Sequence, residues 1–431
     1  MTIAARCRPS IFRGISRSAV HGIGLALFVS PALAQDWRAV ELPVELQVGY
    51  AVRAVDVNRD GKLDIAIVDS KRILWLENPT WDLHVMHATP EAKNDNVCFA
   101  PHDIDGDGDL DFAIGYDWQP NNTTSGGAVG WLECPADPTQ GWTHRVMTRD
   151  EPTMHRMAWA DLDGDGKREL ITAPLKGRGS QAPGWDNTNV RVARWSIFGD
   201  LSSEAWQHAT IEETLPVMHN LEVVDFDRDG REDLLLASFE GVHLWTQQAG
   251  ATAQTLERLG KTRTLVRLGE GHSGTAPARG ASELRIGKLT DTQRYIATIE
   301  PWHGNQVVAY EQPADVSDAM VVGGSSPLWP RTVIDDQLSW GHAVACVNLD
   351  ADAEDELVIG VRDNIDPHRC GVRIYDRQAS GQWQRTLLNP GQVAVEDLVA
   401  ADLDGDGRAE IIAVGRATHN AVIYTRTAAG K

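Results

Sequence analysis

Five segments of this chain carry oxygen-bearing side chains at alternate positions, followed by a glycine and one further acid. They are Asp56/Asn58/Asp60/Asp64, Asp103/Asp105/Asp107/Asp111, Asp161/Asp163/Asp165/Glu169, Asp225/Asp227/Asp229/Asp233 and Asp402/Asp404/Asp406/Glu410. In a tight loop such side chains converge on one point, and the glycine permits the turn. Hard oxygen donors in this number and spacing suit Ca2+. The closing acid stands at position nine and apolar strand-like runs flank each copy, unlike an EF-hand. A sixth copy, Asn348/Asp350/Asp352/Glu356, has Ala353 in place of the glycine, so metal binding there is left open. A seventh, around Lys288 and Thr290, has lost its acids and is expected to be empty. Repetition once per unit points to loops braced by calcium rather than to catalytic metals.

A second set of residues has different chemistry. Thirteen positions after a recurring tryptophan stand Tyr50, His155, His219, His342 and Glu396. The chain has 14 histidines, so three at one register position form a pattern. Histidine and glutamate there can move protons or, in part, share a transition metal of the zinc class. The same register also suits histidines that only cap strands and bond neighbouring carbonyls.

The elements that position both sets follow from the spacing. Tryptophan leads to the first oxygen-bearing loop residue after 19 residues in five units (Trp37 to Asp56, Trp142 to Asp161, Trp206 to Asp225, Trp329 to Asn348, Trp383 to Asp402) and after 22 from Trp81 to Asp103. A fixed period signals repeated supersecondary units. Each unit reads as four strands: one entering the acidic loop, a β-branched run returning (LLLASF, IIAVG), a third with an aromatic (GVHLWT, AVIYT) and a fourth starting at the tryptophan. Seven first strands, beginning near Tyr50, Val97, His155, His219, Ser282, His342 and Glu396, predict an all-β, seven-bladed β-propeller of four-stranded blades. The chain ends after a third strand, and the Trp37 strand has no blade of its own. It is expected to complete the last blade and leave no open edge. No amphipathic helix is expected.

Strand direction then separates two faces. The acidic loops lie at one end of the blades, and the starts of the first strands lie at the other. The turns between second and third strands share that other face and add Lys176, Glu240, Glu300, Trp302, His303, Arg362 and Arg416; His272 reaches it from an insertion. The expectation is an exposed channel mouth with His155, His219, His342, Glu396, Arg362 and Arg416 as catalytic candidates. Tyr50, Lys176, Glu240, Trp302, His303 and His272 are candidates for substrate binding, Trp302 offering a flat face to a sugar ring.

Residues 1–34 read as a cleaved leader: Arg6, Arg8, Arg13 and Arg17, then the apolar run Gly22–Val29, then Ala32-Leu33-Ala34. That leaves residues 35–431 as the propeller and predicts a secreted or periplasmic protein with no membrane span. The formal charge is −21 before the four leader arginines are removed. Such an acidic surface repels nucleic acid and anionic membranes. Four cysteines follow the leader, Cys98, Cys134, Cys346 and Cys370. Within a blade they fall on strands one and three, about 9.5 Å apart, too far for a disulfide.

The repeated acidic loops resemble the FG-GAP/VCBS propellers, across essentially the whole chain after the leader. In that family the loops bind calcium. The segment MHRMAWADLDGDGKREL also resembles the propeller domain of the aldos-2-ulose dehydratase family. That resemblance implies elimination of water from a keto-sugar, and it extends to the propeller portion alone. A base, His155 or His219, would then take a proton beside a carbonyl. A metal or Arg362 and Arg416 would stabilise the enolate, and another histidine or Glu396 would protonate the departing hydroxyl. The partner expected is a small or oligomeric carbohydrate. The alternatives are a non-catalytic lectin-like or adhesive module, and a polysaccharide lyase, which needs a long groove.

Overall fold

A computed structural model describes residues 37–197, 201, 206–247, 263–350, 352–362 and 369–427. The proposed leader lies outside the described residues. Seven four-stranded antiparallel sheets follow one another around a ring. Their inner strands, here called A, are Gly49–Val55, Cys98–His102, Met154–Ala160, Met218–Val224, Leu284–Lys288, Gly341–Val347 and Val395–Ala401. Each is followed outward by strands B, C and D. The last blade takes Trp37–Glu41 as its outer strand, paired with Ala421–Arg426 from Trp37↔Arg426 to Glu41↔Val422. The ring is closed by the first strand, as the repeat count requires.

Second strands such as Asp64–Asp69 (DIAIVD) and Asp233–Ser238 (DLLLAS) are buried along their whole length. A continuous run of branched apolar residues fits a strand covered on both faces by neighbouring blades. Every C strand contributes a buried aromatic: Trp75, Trp131, Trp195, Trp245, Tyr310, Tyr375 and Tyr424. These fill the wedges between blades, which explains the tryptophan-rich composition. Among the described residues one short helix, Asp318–Val322, capped by Ser317, interrupts the all-strand pattern beyond what the sequence predicts. Among the described residues no helix is long and apolar enough to cross a membrane.

The acidic loops share one set of hydrogen bonds. The first aspartate accepts from the glycine N–H five residues on: Gly61 to Asp56 at 2.9 Å, Gly108 to Asp103 at 3.1 Å, Gly166 to Asp161 at 2.9 Å, Gly230 to Asp225 at 3.1 Å and Gly407 to Asp402 at 2.8 Å. These glycines have φ between 84° and 92°, a region closed to most side chains. The closing acid ties loop to blade. Asp64 accepts from Val57 and Asn78 N–H, Asp111 accepts from Ile104 and Cys134 N–H, and Glu410 accepts from Leu403 N–H.

Candidate functional site

Bulges aim the site. In five blades the A–B register slips by one residue, between Gly49 and Ala51, Met154 and Arg156, Met218 and Asn220, Gly341 and Ala343, and Val395 and Asp397. The residues passed over are Tyr50, His155, His219, His342 and Glu396. A bulge leaves its extra residue outside the ladder and turns the side chain to a new direction. The fifth blade does the same. Ser282 N–H donates to Ile299 O at 3.0 Å and Ile299 N–H to Glu283 O at 3.2 Å, while Leu284 pairs with Thr298. Glu283 therefore occupies the position that holds histidine in the third, fourth and sixth blades.

These side chains meet at the start of the A strands, but buried rather than exposed at a mouth. His155, His219, Glu283, His342 and Glu396 are each no more than 6% accessible. Seven A strands converge there, and the arginines above close over the imidazoles.

His219 lies at the centre. Its Nε2 is 2.5 Å from His303 Nε2, and its Nδ1 is 2.8 Å from Glu283 Oε1, off the line of an ideal hydrogen bond. Its ring centroid is 4.7 Å from His155 and 5.2 Å from His342. Arg362 Nη2 stands 3.3 Å from His303 Nδ1. Arginine only donates, so His303 Nδ1 accepts and its proton sits on Nε2, directed at His219. His219 then carries its own proton on Nδ1, towards the Glu283 carboxylate. His342 Nδ1, 2.5 Å from Glu396 O, must donate, which leaves a lone pair on Nε2. His155 Nε2 receives Arg156 Nη1 at 3.2 Å, so its proton lies on the buried Nδ1, and the ring also bonds the His219 backbone.

Burial, reinforced by Arg156 and Arg362, holds His155, His219, His303 and His342 well below the ordinary histidine range. All four are neutral at neutral pH. Nitrogens of His219, His303 and His342 lie within 4.8 Å of one another. This set fits a zinc-class ion, with Glu283 and the Glu396 carbonyl anchoring two of the rings from behind. To join, His303 would move its proton to Nδ1 and give up Arg362.

The remaining candidates divide. Glu396 is held by Arg362 at 3.1 Å and Arg416 at 2.8 Å, which makes it an anchor for two guanidiniums rather than a proton donor. Arg416 lies 5.4 Å over the Tyr50 ring, whose hydroxyl donates to Asp95 at 2.9 Å. Trp302 packs against His303 and Phe239 at 4.7 and 5.6 Å between centroids, so its faces are largely used by protein. Lys176 is turned to Pro120 O, at 2.6 Å, and to the Trp185 ring; burial lowers its amine to about 8. Glu240 pairs with Arg279 at the surface, and His272 bridges to Gly280. Glu300 is fully buried and occupied by Thr298, Tyr310 and Arg331. None of these last four hydrogen-bonds to the imidazoles. Sequence reasoning missed Glu283, Arg156 and Trp118, whose ring lies 5.3 Å from His155.

On the opposite face the loop carboxylates also fit their ion. Groups of oxygens within 4.8 Å occur at Asp103/Asp105/Asp111, Asp161/Asp163/Asp165, Asp225/Asp227/Asp229 and Asp350/Asp352/Glu356. Burial raises Asp111 to about 7, Glu169 to about 7, Asp233 to about 6 and Glu356 to about 7. The third loop differs from the others. Buried Arg194 places Nη1 3.6 Å from both Asp163 and Glu169, putting a fixed cation beside two prospective ligands.

Many of the expected ligands also shape their loop through the backbone: Asp60, Asp105, Asp165, Asp229 and Asp406 each accept from the N–H two residues on, and so do three more. Asn58 accepts from Asp60 N–H at 3.0 Å, and its amide nitrogen donates to Glu77 at 3.2 Å. Asp107 is exposed and accepts from Asp109 N–H at 3.0 Å, while Asp103, Asp105 and Asp111 form the close group of that loop. Asp404 is also exposed and accepts from Asp406 N–H at 3.1 Å. The physical reason is shared. A short Asp or Asn side chain readily bonds the backbone N–H two residues on, which shapes the turn with or without an ion. Asn58, Asp107 and Asp404 therefore stand as turn-forming acceptors. To ligate an ion, each aspartate would use its second oxygen, and Asn58 would share its single carbonyl oxygen. Asp60 and Asp406 are drawn sideways as well, to Lys62 at 3.2 Å and to Arg408 at 3.0 Å.

Residues 56–114 match the FG-GAP-like repeat. Residues 126–313 match the family described as aldos-2-ulose dehydratase, beta-propeller domain. That stretch contains His155, His219, Glu283, Trp302 and His303. The curated aldos-2-ulose dehydratase of Phanerodontia chrysosporium is 28% identical over 265 residues, 58% of this chain and 27% of that protein. The chain thus spans about a quarter of that relative's length. A chain in a crystal structure of the mitotic checkpoint complex aligns over 95% of this chain and all of its own, with a TM-score of 0.53 and 11% identity, which supports the propeller fold alone. By repeat, register and sequence, this chain is a seven-bladed propeller with FG-GAP-like repeat sequence, similar from its second to its fifth blade to the propeller domain of aldos-2-ulose dehydratase.

Proposed function

We propose that this is an exported, calcium-braced propeller whose histidine cluster eliminates water from a keto-sugar. The observation that carries the reading is four neutral imidazoles brought together, three buried and placed by bulges of separate blades and His303, partly buried, from a turn. Burying that many ionisable rings is costly and adds little to packing. A zinc-class ion held by His219, His303 and His342 would supply polarisation of the substrate carbonyl. Arg362 and Arg416, fixed by Glu396, offer donors to an oxygen that gains negative charge. The proton beside the carbonyl passes to His155 Nε2, the cluster lone pair outside the metal set, as it parts from Arg156. The hydroxyl one carbon further leaves with the proton that His155 Nε2 has taken up. The net change is loss of one water and formation of a carbon–carbon double bond conjugated to the carbonyl.

The test is to incubate the calcium-loaded protein with a hexos-2-ulose and follow enone absorbance, together with deuterium uptake next to the carbonyl. Enone should accumulate and fall at least a hundredfold in H155N. If neither enone nor exchange appears while saccharide binding persists, a binding module replaces this reading.

A further inference from the structure

In four blades the residue two before the bulge plays one backbone role: its carbonyl accepts from the residue that follows strand B. The pairs are Leu175 to Thr153 at 2.8 Å, Phe239 to Val217 at 3.2 Å, Arg362 to Trp340 at 3.0 Å and Arg416 to Ala394 at 2.9 Å. Thr153, Val217 and Trp340 also share a left-handed backbone, with φ of 56°, 37° and 57°. The side chains differ sharply. Thr153, Val217 and Ala394 are buried, whereas Trp340 is 55% exposed, the highest value among the large exposed apolar residues described.

The backbone that carries this indole is anchored on both sides. Gly341 N–H donates to Gly304 O at 3.1 Å, joining this segment to the turn that carries His303. Arg362, whose guanidinium reaches His303, donates its backbone N–H to the Trp340 carbonyl. His342 follows two residues later. A bulky residue in this backbone region is strained, and that strain is held here at the rim of the site. The backbone strain belongs to the blade design, since two buried neighbours share it; the exposed aromatic is peculiar to the sixth blade.

We infer that Trp340 is an outer subsite that stacks on the apolar face of a second sugar ring, so that the substrate is a glycosylated keto-sugar or the end of an oligosaccharide. This rests on the keto-sugar reading of the cluster for the inner ring. An indole presents a flat apolar face with little conformational freedom, suited to the C–H face of a pyranose.

The test compares a free hexos-2-ulose with its glycosylated disaccharide counterpart, by calorimetric binding and by enone formation, in the wild type, W340A and W340F. The wild type should favour the disaccharide about three- to tenfold, the range an aromatic face contributes. W340A should bring the ratio close to one, and W340F should restore part of it. The melting temperatures of the three proteins are recorded alongside, to separate stacking from unfolding. An unchanged ratio in W340A, or no preference in the wild type, overturns the subsite while leaving the elimination reading intact if enone forms. Disaccharide binding that W340A weakens, with no enone from either probe, keeps the subsite and removes the elimination. Binding of neither probe removes both.

Discussion

Glu283 Oε1 lies 2.8 Å from Nδ1 of His219, with both side chains almost fully enclosed. The carboxylate also holds Arg156 at 3.0 Å and the Asn220 amide. It thus fixes the ring orientation of the central histidine from behind, without facing the substrate space itself.

A carboxylate behind a ligand histidine typically changes metal affinity by about 10- to 100-fold. E283Q keeps the shape and some hydrogen bonding while removing the charge. Zinc affinity measured by chelator competition should fall within that range. An affinity equal to the wild type would remove Glu283 from the site.

The closing acids make calcium dependence pH-dependent. Asp111, Glu169, Asp233 and Glu356 hold protons more tightly in the fold than in the unfolded chain, because burial raises them to about 6 or 7. Between about pH 4 and 7 the ion-free fold therefore binds more protons than the unfolded chain, and its stability drops as pH rises. A cation removes that penalty. The calcium-induced rise in melting temperature should grow from pH 4.5 to 7.5. A constant increment across that range, or a melting curve that excess chelator leaves unchanged, would contradict this.

Arg194 sets the third loop apart. Its guanidinium, 3.6 Å from Asp163 and Glu169, opposes a divalent ion at short range. R194Q should tighten ion binding at one site by about tenfold or more, seen as one added or strengthened step in a terbium luminescence titration. An unchanged titration would show that the arginine does not compete.

Ring closure rests on one short strand. Deleting Trp37–Glu41 strips Ala421–Arg426 of its partner and exposes a long sheet edge, so the variant should aggregate. A soluble monomeric deletion with an unchanged melting curve would be incompatible with closure by this strand.

The blade count, the closure and the strand starts were legible because a tryptophan marks the outer strand at a constant distance from the loop. Tyr50, His155, His219, His342 and Glu396 all follow from that count. Glu283 does not, since the fourth blade's outer strand lacks the tryptophan and the fifth loop lacks its acids, leaving no ruler. Exposure was misread for a different reason. Sequence places the histidines at strand starts, but only the bulges reveal that the side chains turn inward under Arg362 and Arg416. Lys176, Glu240 and His272 lie in turns on the same face, and turn residues have no fixed reach towards the axis. In the acidic loops the spacing names the oxygens but not their first partner, so Asn58, Asp107 and Asp404 read as ligands while the fold uses them on backbone N–H groups. Trp302 was expected to offer an open face and is packed by protein, and nothing in the spacing singles out Trp340, because burial of a ring depends on neighbours from other blades.

The central claim is that the buried histidines form a working metal centre rather than a set of strand caps. The most direct measurement is elemental analysis after exhaustive dialysis against a calcium-selective chelator, in the wild type and in H342Q. One retained equivalent of zinc or another transition metal in the wild type, absent in H342Q with the protein still folded, is the predicted result. A wild type that keeps no transition metal and takes up none when zinc is offered would contradict the account.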